Sequence, residues 1–448
     1  MKQWSVANTL FFGIVLGVTP ALVCGQDFVR PMAFDYDYYA RSYQPSPSDL
    51  PATSPPEEAA TPTEVCHGAT LSCCPCDACQ PWRLLPTLPG GFQCYGWLNG
   101  GAALNADSPA SRFNGPVTLA DRDELMLNQS YIVLERSAEP FLGPIDLGAR
   151  LDLLFGTDYF FTEAAGLERD RVGTPKWNNR RFYGLALPQM YLDFVWNDLS
   201  VKVGHFYTLL GYESVMAPAN FFYTHSYAFQ YGRPFTHTGV LTTYRWTDRL
   251  VLYNGIHNGW DAFDRPSERA AYLGGARWTN DAGNLWISYF ITAGQEFNVL
   301  NVYTNRTAYS LIAGWQINDC WQYVIDHTAG WQDRFTLNGD DVEWYGLAQY
   351  LFYTVNECWK LGLRFEWFRD DDGVRVGSNT RLTNPVTGGS FVGNFYDISL
   401  GLNWTPTSNF AVRPELRWDW YTGPGPSPYD DGTKDHQFLG AVDLIWQF

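Results

Sequence analysis

Basic side chains are scarce in this chain: 30 Lys and Arg stand against 47 Asp and Glu, for a formal charge of −17. Phosphate binding needs clustered Lys and Arg, so no nucleic-acid partner is expected. Long apolar runs are missing too. After the first 25 residues none reaches the 18 or so that a membrane helix requires, which argues against a helical membrane protein. There is no Gly-x-Ser-x-Gly nucleophile elbow, and no cofactor is expected.

What is abundant is aromatic residues, 17% of the chain. They sit in alternating segments that are clearest at the end, over 394–448. Tyr396, Ile398, Leu400, Leu402 and Trp404 interleave with Asp397, Ser399, Gly401 and Asn403. Phe410, Val412, Leu416, Trp418 and Trp420 oppose Arg413, Glu415, Arg417 and Asp419. Phe438, Val442, Leu444 and Trp446 lead to a terminal Phe448. Period-two alternation marks strands with one apolar and one polar face. A soluble sandwich would also alternate, but crossing a bilayer takes strands of roughly 9 to 11 residues, against about 5 to 6 in soluble sheets. These segments are of the longer kind, and Trp recurs at their ends, where an amphipathic ring suits the membrane interface.

Residues 1–25 read as a secretory signal, with Lys2, an apolar core over 9–18 and a cut before Gln26. Residues 26–65, rich in Pro, Ser, Thr and Ala beyond position 43, are expected to be a disordered linker. The segment 66–94 holds six cysteines. Export favours disulfides, with 15 connectivities open. Cys76 and Cys79 are also spaced as a metal-ligand pair, with His67 nearby, but a second such pair is missing.

From Tyr95 onward the connections alternate between short turns, such as 196–199, 246–249, 278–281, 315–319, 356–357 and 404–407, and long loops over 156–181, 210–235, 258–269, 295–305, 370–394 and 422–435. Outer-membrane barrels have short periplasmic turns and long outer loops. The expectation is therefore an all-β transmembrane antiparallel barrel over 95–448. Sixteen strands is the best count, within 14 to 18. Cys320 and Cys358, two strands apart beside short turns, would lie about 9 to 10 Å apart by strand spacing and are expected to be unpaired or adapted by turn movement.

The faces opposite the apolar ones would line a wet lumen. They carry Arg150, Asp152, Asp193, Lys202, Arg277, Lys360, Arg364, Glu366, Arg413, Glu415, Arg417 and Asp419. Pairing of Arg with acid across strands would account for most of these residues, solute contact for the rest. The loop 210–235 is too long and aromatic for a plain connection. It either folds into the lumen as a constriction, with Tyr223, His225, Tyr227, Arg233 and, just beyond, His237 facing the solute, or packs at the rim as an Ω-like loop.

The run FFYTHSYAFQYGRPFTHTG, 221–239, with Gly211, Tyr212 and Glu213 before it, resembles the hallmark of the OmpL-like beta-barrel porin family. The resemblance covers about 96–448 and implies a porin of the bacterial outer membrane. Partners on this reading are the lipid bilayer and small hydrophilic solutes or ions that diffuse passively. A homo-oligomer, such as a trimer, would suit a barrel of this size. The Cys-rich segment would be free to bind a periplasmic partner. The alternatives are a closed barrel acting as scaffold or adhesin, and a barrel-embedded hydrolase using Ser226 with His205, His225 or His237; adjacency alone does not place a base on a hydroxyl.

Overall fold

The structure is a computed structural model that describes residues 83–117, 123–138, 144–170, 173–178, 182–264, 269–377 and 389–448. The signal, the linker and most of the Cys-rich segment lie outside the described residues.

The strands are β1 (Gln93–Asn105), β2 (Leu125–Arg136), β3 (Ile145–Gly156), β4 (Gly184–Ala186), β5 (Met190–Trp196), β6 (Leu199–Tyr207), β7 (Thr236–Thr247), β8 (Leu250–His257) and β9 (Ala271–Thr279). They continue as β10 (Leu285–Phe297), β11 (Tyr303–Gln316), β12 (Trp321–Gln332), β13 (Val342–Asn356), β14 (Trp359–Asp370), β15 (Gly393–Thr407), β16 (Phe410–Thr422) and β17 (His436–Gln447). Apart from β4 and β5, neighbours in sequence pair antiparallel, and β17 returns to β1 in the register Leu104↔Gly440. The sheet is closed. Phe448 completes the seam by exchanging backbone hydrogen bonds of 2.9 Å with Gly96 in both directions. Closure removes the unpaired edges that a bilayer would leave unsatisfied.

β3 pairs with β4 at Leu154↔Ala186 and with β5 at Leu151↔Met190, so those two are one stave interrupted at 187–189. Pro188, which has no N–H to give the ladder, sits in the gap. The barrel therefore has 16 staves. Among the described residues no helix is long and apolar enough to cross a membrane; the strands do the crossing.

Parity explains the wall. Leu98, Ile132, Leu192, Leu311, Leu400 and Leu444 point outward and are exposed. Neighbours of these residues along the strands, among them Asn99, Tyr131, Ser310, Ser399 and Asp443, point in and are buried. Trp196, Trp246, Trp278, Trp315, Trp321 and Trp446 are all exposed and all stand at the short-turn end of their strands, as an interfacial girdle.

Three local expectations change. The turn after β15 is at Ser408 and Asn409 rather than over 404–407, because Pro406 is absorbed in a register shift between Trp404 and Thr407. Cys94, grouped by sequence with the Cys-rich segment, lies in β1 and is a free cysteine. Cys320 and Cys358 are disulfide-bonded, which removes the unpaired alternative; turn residues are not held to the spacing of the sheet.

Candidate functional site: a loop seated in the lumen

The third long loop, L3 (208–235), leaves β6 and crosses the inside of the barrel. A backbone that leaves the sheet must find partners for its N–H and C=O groups. L3 finds them first within itself. Gly211 adopts φ +83°, and the Arg233 guanidinium fills the space a Cβ would take. Arg233 then donates to the carbonyl of Leu210 and, at 2.5 Å, to that of Glu213, stapling the loop's two ends. Asn220 closes a smaller turn, donating to the carbonyls of Ser214 at 2.7 Å and Met216 at 3.1 Å. Ser226 caps the one-turn helix α1 (Tyr227–Tyr231), its Oγ accepting from the Phe229 N–H at 3.1 Å.

The barrel wall supplies the rest. Arg413 donates to the carbonyls of Ala217 at 3.0 Å and Asn220 at 2.6 Å. Arg364 donates to Thr224 O at 2.7 Å, and Arg417 to His225 O at 2.6 Å. Glu415 accepts the Thr224 N–H at 2.9 Å, and Glu366 accepts those of Tyr227 and Ala228 at 2.6 and 2.7 Å. Three staves round the wall from β16, Gln129 of β2 donates to Val215 O at 2.6 Å, and Tyr223 donates to Asn128 of β2 at 3.1 Å. L3 is thus tied to β2 and to β14 and β16, with Asp326 of β12 accepting the Tyr212 N–H at 2.8 Å and Trp344 of β13 donating to Gly232 O at 2.9 Å.

Opposite charges at the wall pair with one another: Arg364 with Asp397 at 3.1 Å, Arg413 with Asp443 at 2.5 Å, Arg417 with Asp419 at 2.7 Å and Arg150 with Asp152 at 2.8 Å. All eight side chains are buried. Buried ion pairs of this kind offset their desolvation only when their remaining hydrogen-bonding capacity is met; L3 meets it for Arg364, Arg413 and Arg417, and wall residues do so for Asp152, through Tyr131 and Gln189, and for Asp443, through Asn99.

Glu213 is the hub. Oε1 accepts from Tyr350 Oη at 2.9 Å and Arg364 Nη1 at 3.2 Å, while Oε2 accepts the Ser226 N–H at 2.9 Å and faces His225 Nδ1 at 3.0 Å. Burial by itself would raise its pKa. The His225 hydrogen bond and the Arg364 charge outweigh burial and hold the carboxyl well below the usual range. Burial pushes His225 down, against the pull of Glu213.

The residues singled out from sequence therefore divide. Arg364, Glu366, Arg413, Glu415 and Arg417 hold L3, and Asp419 accepts from Tyr227 Oη at 2.8 Å. Tyr223, His225, Tyr227 and Arg233 are buried inside the loop's own packing, and His237 of β7 is buried against His257, their Nδ1 atoms 3.1 Å apart. Asp193, Lys202, Arg277 and Lys360 are half-buried, Lys202 over the Tyr191 ring at 4.2 Å and Arg277 over the Trp286 ring at 4.3 Å. Ser226 and His225 converge on Glu213 rather than on each other, and His205 stands elsewhere, against Thr238 at 2.7 Å. Among the described residues no group of three or more His, Cys, Asp or Glu is arranged to hold a metal. Sequence reasoning missed Glu213 as a hub, with Asp397 and Asp443, because their partners lie on other strands or across the lumen.

A closed barrel with an inward-folded third loop and a Trp girdle is the anatomy of a porin. The family model described as "Putative beta-barrel porin-2, OmpL-like" matches residues 91–448. The chain belongs to that family. This porin is accordingly a lipid-embedded protein of the bacterial outer membrane and a transport barrel rather than an enzyme. Among solved structures it is similar to an anion-selective porin from Comamonas acidovorans, at 12% identity and a TM-score of 0.57, covering 80% of this chain and 99% of that one. It is also similar to the outer membrane channel DcaP of Acinetobacter baumannii, at 12% identity and a TM-score of 0.53, covering 80% and 97%. OmpT of Vibrio cholerae, expressed in the outer membrane, aligns at 12% identity and a TM-score of 0.50, covering 81% and 99%. At such identities the likeness concerns the fold. No curated protein matches the sequence.

Proposed function

We propose that this porin passes small hydrophilic solutes by passive diffusion, through a water-filled path that L3 narrows without sealing. The observation that carries the reading is the asymmetry of the inner wall. L3 is fastened to β2 and β12–β16, where most of the charged residues are buried, whereas Asp193, Lys202 and Arg277 on β5, β6 and β9 keep part of their surface accessible, as does Lys360 at the short-turn end of β14. Both signs are present in that half-buried set, so the chain's net negative charge does not translate into strong exclusion of anions. No covalent chemistry is required, only a wet constriction.

Liposome swelling tests it. Proteoliposomes of the mature protein should swell in isotonic neutral sugars at rates that fall steeply with sugar size. Swelling no faster than protein-free vesicles, with the barrel folded, would favour the closed scaffold.

A further inference from the structure

Four neighbouring staves carry polar side chains outward, where the bilayer lies. On β10–β13, Tyr289, Tyr309, His327 and Gln349 alternate with the inward Phe290, Ala308, Thr328 and Tyr350, all of which are buried. Tyr289 is exposed and the other three outward residues are half-buried. The ring of Tyr309 lies against those of Tyr289 and His327, with centroids 5.6 and 5.7 Å apart. Gln349 accepts from Tyr323 Oη at 2.6 Å. The staves that follow show apolar side chains instead: Leu363, Leu400, Leu416 and Leu444 are outward and exposed.

His327 stands at mid-membrane. Exposed tryptophans mark both ends of β12, Trp321 six residues before it and Trp331 four residues after. At about 3.3 Å per residue and a strand tilt near 40°, His327 is about 15 Å from one aromatic girdle and about 10 Å from the other, within an apolar band about 25 Å tall. Its hydrogen bonding is incomplete there. Neither ring nitrogen of His327, nor the N–H groups of the Gln349 carboxamide, nor the hydroxyls of Tyr289 and Tyr309 have a hydrogen-bond partner on another residue among those described. Water would serve such groups at a wet surface. Hydrocarbon holds none, and an unmet polar group in it is costly.

Amide, imidazole and phenol each donate and accept, so the row complements itself. The bilayer also fixes depth and direction, and a second copy turned about a two-fold axis along the membrane normal brings the same groups to the same level. Any ring of three or more copies sets this face against a different one. We propose that β10–β13 form the interface of a homodimer, two copies of this chain meeting about such an axis with His327 and Gln349 of each hydrogen-bonding across it, rather than the trimer that barrel size alone suggests. The interface lies on the outer face, so it stands or falls apart from conduction through the lumen.

Photo-cross-linking of the full chain in a bacterial outer membrane tests the dimer. Leu311 pairs with Tyr289 on one side and His327 on the other and is 44% exposed. Replaced by p-benzoylphenylalanine and irradiated, it should give an adduct of twice the chain's mass on reducing gels, whose cross-linked peptides join β10–β13 of one copy to β10–β13 of the other. The same reporter at Leu400 of β15, 51% exposed, should give no such adduct. His327→Leu combined with Gln349→Leu puts a side chain that lipid accepts at both positions. This double variant should fold, as heat-modifiable mobility reports, and should lower the Leu311 adduct yield several-fold. Should it not fold, the peptides cross-linked in the wild-type background decide. Adducts with lipid alone, with a protein of another mass or with other strands of this chain would overturn the interface, as would a yield untouched by the double variant.

Discussion

Glu213 and Arg364 are 151 residues apart in sequence and 3.2 Å apart in the barrel. The contact joins the tip-ward turn of L3 to the inward face of β14. Glu213→Gln keeps an acceptor oxygen but removes the charge, leaving Arg364 with one fewer counterion. Breaking a buried pair from one side costs about 3 kcal/mol. The variant should unfold from liposomes at lower urea, read by tryptophan fluorescence, and a midpoint equal to wild type would contradict the hub. Because the folded Glu213 is held below its unfolded value, its contribution is present above about pH 4.3 and is lost only as pH falls through the depressed value. L3 should therefore stay seated at pH 5.

Gly211→Ala tests the staple. The position has φ +83°, and the added methyl would meet the Arg233 guanidinium. Strain of this type costs roughly 1 to 3 kcal/mol before displaced hydrogen bonds are counted. The expected result is a loop open to protease near 211–233 in an otherwise folded barrel. Protection equal to wild type would show that Arg233 can move aside without loss.

Glu168, in the second long loop, runs the opposite way in pH. It is buried and accepts the N–H groups of Ala164 and Leu187, each at 2.9 Å. Burial outweighs those donors and raises its pKa to about 7. A carboxyl raised in the folded state stabilises below its unfolded pKa, and the effect fades as pH rises through the folded value. Hydrogen exchange over 157–178 should be slower at pH 5.5 than at pH 8 after correction for intrinsic rates. Glu168→Gln should flatten that difference, and an unchanged pH dependence in the variant would exclude Glu168 as its source.

Leu400→Arg places a charge on the lipid face of β15, where Leu400 is exposed. The cost near the bilayer midplane is about 2 to 4 kcal/mol. Folding into liposomes should fall correspondingly. Equal folding yield and stability would mean that this face does not meet lipid.

Much of the barrel was legible in the sequence because it depends on parity. Trp196 and Trp315 follow the apolar face of their strands and stand exposed at the short-turn ends. The strand count survived the split of β4 from β5 because Pro188 interrupts a stave without reversing it. Pro406 misled for the converse reason: a bulge absorbed it and the turn came later. The wall charges at Arg413 and Arg417 were readable as inward, but not as the hands that hold L3, since a loop crossing a lumen has no period that records which strand it will touch. Glu213 lay in plain view between an aromatic and a serine, with nothing local to mark five hydrogen-bonding contacts.

Single-channel recording of the refolded mature protein in a planar bilayer tests whether an aqueous path runs through the barrel. Wild type should give discrete, ohmic steps in potassium chloride, which become larger or noisier in Glu213→Gln as L3 loosens. Silence from protein shown to be folded by heat-modifiable mobility, in wild type and variant alike, would contradict an aqueous path through this barrel.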